Sequence, residues 1–245
     1  MMGVEDEILK LTTDFVFKRV SGDTSNGAFL IFIIQTLTKI NVTRLEFAPQ
    51  EIPREKDNLK TVIYDVAVKI NDGIRIELEM QRNFQKGLIK RLFYYGTRLI
   101  RLEMGKEYHE LSKGIVITFV TDHSHFFPHP VSVYVQGEWK NNPGHVLTDA
   151  LVFYFIAMNR IDEIEKTREN EDLLLLLQFL RSTRREEMEA LARKNENIKQ
   201  AYEDLVQISQ DPEIRTLAVA RDKFLWDQEI REQEAEKRVI EAKKE

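Results

Sequence analysis

TVIYDVAVKINDGIRIELEMQ, residues 61–81, is the stretch on which the fold turns. On both sides of Asn71-Asp72-Gly73 apolar and polar residues alternate, the period of a β-strand. A three-residue loop with Gly73 in the left-handed conformation pairs Ile70 with Ile74. Counting outward then sets Asp65 opposite Glu79, Ala67 opposite Glu77, Lys69 opposite Arg75 and Ile63 opposite Gln81, all on one face. Tyr64, Val66, Val68, Ile70, Ile74, Ile76, Leu78 and Met80 fill the other face, which must be core. A two-residue Asp-Gly turn would shift the register by one and part Asp65 from Glu79. The clean division into an apolar and a polar face favours the three-residue turn.

The polar face sets two carboxylates against each other with Cβ atoms about 5 Å apart, an arrangement that like charges disfavour. A divalent cation compensates such a pair. Mg²⁺ prefers carboxylate and water oxygens and is held by one or two acids plus a substrate phosphate, so Asp65 and Glu79 are candidate metal ligands. The same pattern also describes a plain solvated face, with Lys69 pairing diagonally to Glu77.

Downstream, NFQKGLIKRLFYYGTRLIRLEMG, residues 83–105, has a helical period, with Leu88, Leu92, Tyr95, Leu99 and Leu102 on one stripe. Lys86, Lys90, Arg91, Arg98 and Arg101 share this stretch, and Glu103 is the only acid between Phe84 and Met104. Such a concentration of positive charge suits a phosphate backbone or a solvated basic face. Gly87 and Gly96 weaken the helix for no reason visible in the sequence. GIVITFVT, residues 114–121, reads as a buried strand, 122–130 as a loop, and 131–136 and 150–156 as further strands.

Upstream, residues 1–45 read as helical, in two apolar stretches parted at Gly22. Beyond about residue 165 charged residues dominate while the helical period persists, and Pro212 is the only proline. This divides the chain into 1–164, carrying the hairpin and its strands, and a helical region, 165–245. The last segment, EIREQEAEKRVIEAKKE at 229–245, mixes both signs and suits an exposed helix or homo-oligomer formation through the C-terminal helices.

The totals exclude several classes. At 245 residues and 42% hydrophobic content the chain can bury a substantial core. It has no cysteine, so disulfide frameworks and thiolate metal sites are ruled out. The apolar run from Ala28 to Ile34 is too short to span a bilayer, and no membrane is expected. The N-terminus lacks a secretory pattern, and a cytoplasmic location is expected. With a net charge of −5, any nucleic-acid contact must use a local basic patch. His123, His125 and His129 fall close together, but a loop with Asp122 as its only acid reads as polar loop rather than metal site. No Gly-rich phosphate loop and no Ser, His and Asp arrangement is visible.

Several segments, in their order, resemble the Rpn family, the recombination-promoting nucleases of the PD-(D/E)XK superfamily. They are TDFVFKRV at 13–20 followed by Gly22, YDVAVKI at 64–70, IELEMQ at 76–81, RLFYY at 91–95 with Gly105 and Tyr108 after it, and GIVITF at 114–119. LLLLLQFL at 173–180, AYEDLVQIS at 201–209 and the closing EAEKRVIEAKKE extend the likeness over nearly the whole chain. The resemblance implies an α/β fold of the restriction-endonuclease-like PD-(D/E)XK kind, with a central mixed sheet flanked by helices and a C-terminal helical extension. Asp65 then stands as the first motif acid and Glu79 as the second, with Gln81 where the superfamily usually has lysine and Tyr64 in place of the motif's proline.

Asp14 is a candidate third acid from the first helix, or a helix N-cap following Thr13. Lys18, one turn later, can pair with Asp14 or reach a phosphate. The activity implied is Mg²⁺-dependent hydrolysis of DNA, linked to recombination or mobile elements, with Gln81 orienting water and Lys18, Lys90, Arg91 and Arg98 holding the backbone. No groove-reading motif is visible, so low sequence specificity is expected. The alternative is a catalytically inactive descendant that binds nucleic acid or protein.

Overall fold

A computed structural model describes residues 8–22, 27–49, 51–52, 62–71, 73–83, 87–102, 104–122, 126–138 and 140–242. Asp72, Lys86, Glu103, His123 and His125, named above, lie outside the described residues.

The hairpin forms with the three-residue turn. β4 (Val66–Ile70) and β5 (Ile74–Asn83) pair antiparallel with Ile70 opposite Ile74, Lys69 opposite Arg75 and Ala67 opposite Glu77. Gly73 has φ 117°, and its N–H donates to Ile70 O at 3.1 Å. Asn71, at φ 46°, uses its side-chain oxygen to accept from the N–H of Thr43 at 2.9 Å, and its amide donates to Asn41 O at 2.8 Å. The turn is thereby clamped to the segment entering β1 (Leu45–Phe47), which pairs with the other edge of β4.

The ladder departs from the expected register at its open end. Pairing stops at Val66 opposite Leu78, the chain bends at Asp65, and Ile63 pairs with Glu51 instead of Gln81. β2 (Glu51–Ile52) and β3 (Val62–Ile63) thus form a separate two-stranded sheet. The bend also reverses the parity of the strand. Tyr64, expected among the residues that pack behind the hairpin, lies on the opposite side with Ala67, Leu88 and Leu92.

The main sheet runs β1, β4, β5, β6 (Gly114–Asp122), β8 (Val146–Ala157), β7 (Val131–Gly137). β5, β6 and β8 are mutually parallel, and the two edges are antiparallel. Parallel neighbours require a crossover, and α3 (Leu88–Leu99) provides the one from β5 to β6. One sheet face, bearing Val66, Val68, Ile76, Leu78, Met80, Ile117 and Phe119, is covered by helices from both ends of the chain. These are α1 (Asp14–Ser21), α2 (Ala28–Thr38), α4 (Glu171–Arg181), α5 (Arg185–Ala192) and α6 (Glu196–Gln210), which share a single apolar core. Phe29 of α2 meets Phe179 of α4 edge to face, with ring centroids 5.9 Å apart. α2 is apolar nearly all round because it is buried on several sides, the signature of an interior helix.

The other face packs against α3 through Leu88, Leu92, Tyr95 and Leu99, the stripe expected from the sequence. Leu102 lies past the end of α3 and is exposed. The two glycines now have reasons. Gly87 adopts φ 89° where the chain enters the helix, and a Cβ on Gly96 would stand 2.9 Å from Leu151 Cδ1, so α3 touches the sheet there. The last helix, α7 (Pro212–Ala242), starts at Pro212, where a missing N–H costs nothing, and passes α1.

Candidate active site

The polar face of the hairpin is covered rather than wet. α3 lies over it, leaving Glu77 fully buried and Glu79 4% exposed. Alternation along β5 places Glu77, Glu79 and Gln81 on this face, and the parallel partner β6 sets Thr118 beside Glu79. Asp65 reaches the same place from the bend that ends β4, where its Oδ2 accepts the N–H of Met80 at 3.2 Å. The two acids come together at the end of the ladder, not as a directly paired rung.

Their electrostatics follow from this crowding. Burial, then the charge of Glu79, push the Asp65 carboxyl up to about 8, against a partial offset from the Met80 N–H. Burial and the adjacent Glu79 raise Glu77 well above the ordinary carboxylate range. Neither oxygen of Glu77 meets an N–H or hydroxyl donor among the described residues, and its carboxyl faces that of Glu79. A proton retained on Glu77 resolves this contact, making Glu77 the donor and Glu79 the acceptor. Glu79 is raised by burial, with Glu77, Arg91 and Gln81 all pulling it back down.

Gln81 bridges acid and base. Its Nε2 donates to Glu79 Oε2, and its Oε1 accepts from Arg91 Nη2 of α3 at 2.8 Å. A guanidinium therefore stands at one remove from the acids, on the neutral amide that occupies the position of a lysine.

These groups open on a cavity of 590 Å³ lined by Asp14, Asp65, Glu79, Gln81, Arg91 and Tyr95 together with residues of α7. Cations at its wall include Lys10, Arg82, Arg181 and Arg221. Asp14 is the first residue of α1 and follows the N-cap, Thr13; its Oδ1 accepts the N–H of Phe15 at 2.7 Å. Its carboxylate also accepts from Arg221 of α7, with Arg221 Nε at 2.9 and 3.1 Å from the two oxygens. Lys18 contributes its charge to Asp65 and lowers it, without lining the cavity. Lys90 is exposed on α3, and Arg98 packs on Tyr94 beside a different cavity that also contains Tyr64 and Arg101. The fold thus gathers Asp65, Glu79, Gln81, Asp14 and Arg91 and leaves Lys90 and Arg98 apart.

The sequence assigns Arg221 no part in the site and offers Glu77 only as a partner of Lys69 on a solvated face. Alternation placed Glu77 on the correct face, but nothing in the sequence told of its burial. Arg221 lies 207 positions from Asp14, beyond the reach of any local pattern.

The donor set can be tested against a divalent cation. Among the described residues no three Asp, Glu, His or Cys side chains form a ready-made metal cluster. Mg²⁺ does not require one, since it keeps several waters and takes one or two carboxylates. Asp65 and Glu79 supply hard oxygens whose ionised forms are both destabilised by burial, and a cation between them would relieve that. The residues fit.

Neither the curated proteins nor the solved structures hold a significant match to this chain. The family described as PD-(D/E)XK nuclease family transposase matches residues 11–235, a span that takes in the hairpin, the crossover helix and most of the C-terminal helices. With the mixed sheet flanked by helices and the acids at the end of its hairpin, the chain belongs to the PD-(D/E)XK nuclease family transposases.

Proposed function

We propose that this protein hydrolyses phosphodiester bonds of DNA with a divalent cation held by Asp65 and Glu79. The observation that carries the reading is the convergence of the half-buried Asp65 and the buried Glu79 on one cavity, whose walls also bring in Arg91 and Arg221. A divalent cation, when bound, supplies a Lewis acid that offsets charge developing on the phosphoryl group. The protein's own groups do the rest. Asp65 is held by the Met80 N–H, and Glu79 is steadied by Glu77 on one side and Gln81 on the other. The Gln81 amide has a second N–H with which to orient an attacking water, and Arg91 brings positive charge to the amide's carbonyl.

The exposed Lys90 and the half-buried Arg98 outside the cavity, with Lys18 near its acids, extend a surface for the sugar-phosphate backbone. Such contacts position a strand without reading its bases, which supports low sequence specificity. A role in recombination or mobile-element chemistry and self-association through the C-terminal helices belong to the same reading. No helix among the described residues is long and apolar enough to cross a membrane.

The test is incubation of purified protein with supercoiled plasmid and Mg²⁺, with and without chelator, beside Asp65→Ala. Nicking by the wild type alone, abolished by chelator, is expected. Equal nicking by Asp65→Ala, or none by either, overturns the assignment.

A further inference from the structure

Part of the cavity wall comes from α7, whose Arg221 is tied to Asp14 in a way that metal binding does not explain. Arg221 donates to Asp14 from Nε, at 2.9 Å to Oδ2 and 3.1 Å to Oδ1, and from Nη2 to Oδ2. Among the described residues its Nη1 carries no hydrogen bond. The Arg221 side chain is 41% exposed while that of Asp14 is 18% exposed, so the carboxylate lies beneath and the guanidinium above it. The neighbouring residue fastens the same stretch of helix, since Asp222 Oδ1 accepts from Thr13 Oγ1 at 3.2 Å. Arg181, also on the cavity wall, is differently committed, with Nη1 and Nη2 both on Asp162 at 2.7 and 2.9 Å.

We propose that Arg221 is a phosphate-binding residue of the active site and that Asp14 is the positioning residue that aims it. The proposal rests on the hydrolytic reading of Asp65 and Glu79 and assigns the cation that meets the nucleic-acid backbone beside them. A guanidinium is a rigid planar fork with donors on two edges. Asp14 holds the Nε and Nη2 edge and fixes the plane, and the Nη1 side is left for a non-bridging oxygen of the strand. Charge points the same way. A free Asp14 would add a third carboxylate to a wall that already holds those of Asp65 and Glu79. Bound to Arg221, it is neutralised, and the pair presents its positive end to the cavity. Asp14, which the sequence offers as a candidate third acid of the site, thereby acts through Arg221.

The experiment uses the full chain and reads binding separately from cutting. In an Asp65→Ala background without divalent cation, the affinity for a short labelled duplex is measured between about 50 and 200 mM salt, where each phosphate contact contributes a slope of about 0.9 to log K against log salt. Adding Arg221→Gln is expected to lower that slope by about one contact, Asp14→Asn to lower it likewise, and the double variant to go no lower than either. With Asp65 intact and Mg²⁺ present, Arg221→Gln is expected to cut plasmid nicking by about 100-fold.

An unchanged slope overturns the proposal, as does nicking by Arg221→Gln at or above the wild-type rate, which would make the contact a mere fastening of α7. An Asp14→Asn variant that needs more Mg²⁺ while keeping the full slope assigns Asp14 to the metal and overturns the proposal. If Arg221→Gln does not fold, Arg221→Lys decides, because a point charge keeps the slope but cannot be held on one edge while donating from the other. Nicking reduced about 10-fold supports the proposal, and unchanged nicking overturns it. A wild type that never nicks overturns the hydrolytic reading alone, since the slope of the Asp65→Ala series still reports on Arg221.

Discussion

Asp65 contributes to the pH behaviour of the molecule in the same sense as Glu77 and Glu79, whose carboxyls are also raised by burial. Its carboxyl ionises near the ordinary value for aspartate when the chain is unfolded and is pushed up to about 8 in the fold. Between those two values the folded protein holds more protons than the unfolded one, so the metal-free protein must lose stability as pH rises through that window. Below it the contribution is fully present. Thermal melts in chelator are expected to show Tm falling by about 5 °C or more from pH 5 to pH 8, with a flatter profile for Asp65→Asn. Mg²⁺ should raise Tm more at pH 8 than at pH 5, because the cation binds the ionised acids. Arg91 acts on the same group of carboxyls. Its removal in Arg91→Ala takes away a charge that lowers Glu79 and the donor to Gln81 Oε1, so the acid limb of the nicking-versus-pH profile is expected to move to higher pH.

At the scale of elements, the contact between α3 and the sheet is the joint on which the site depends. Gly96 lets the helix approach so closely that an added Cβ would fall 2.9 Å from Leu151 and 3.2 Å from Phe153. Gly96→Val adds two further methyls and is expected to cost about 3 kcal/mol in urea unfolding, and to raise α3 off Glu77 and Glu79. The hairpin turn offers a milder case. Asn71 ties the turn to the segment before β1 through Thr43 and Asn41, and Asn71→Ala is expected to cost about 1 kcal/mol by the same measurement, without loss of nicking. The alternation of β5 named the residues of both faces, but a period of two is the same whether water or a helix covers the polar side. Only α3, on the crossover from β5 to β6, buries it.

Across the whole molecule, helices on either side of residue 165 share one core. Leu176, Leu177, Phe179 and Leu180 of α4, Met188 of α5 and Leu205 of α6 are all buried with residues of α1, α2 and the sheet. A fragment ending at residue 164 would expose this surface and is expected to lack near-ultraviolet dichroism and to bind a hydrophobic dye. A chain cut after Gln210 keeps most of the core but loses Arg221 and the α7 wall of the cavity. It is expected to remain folded and to lose about 100-fold in nicking.

The sequence by itself determined the hairpin, its three-residue turn, the stripe of α3, the buried β6 and the acids that alternate along β5. These are local patterns, written within about twenty residues, and the physics of strand and helix periodicity makes them legible. Even there Tyr64 and Ile63 escaped, because a bend at Asp65 cancels the parity on which counting relies. What only the tertiary structure decided is what covers each face and which distant side chains meet across the cavity. Burial of Glu77, the bridge from Gln81 to Arg91 and the grip of Arg221 on Asp14 all arise where elements pack together. No local period records such meetings, because they depend on where the sheet and helices place the chain in space.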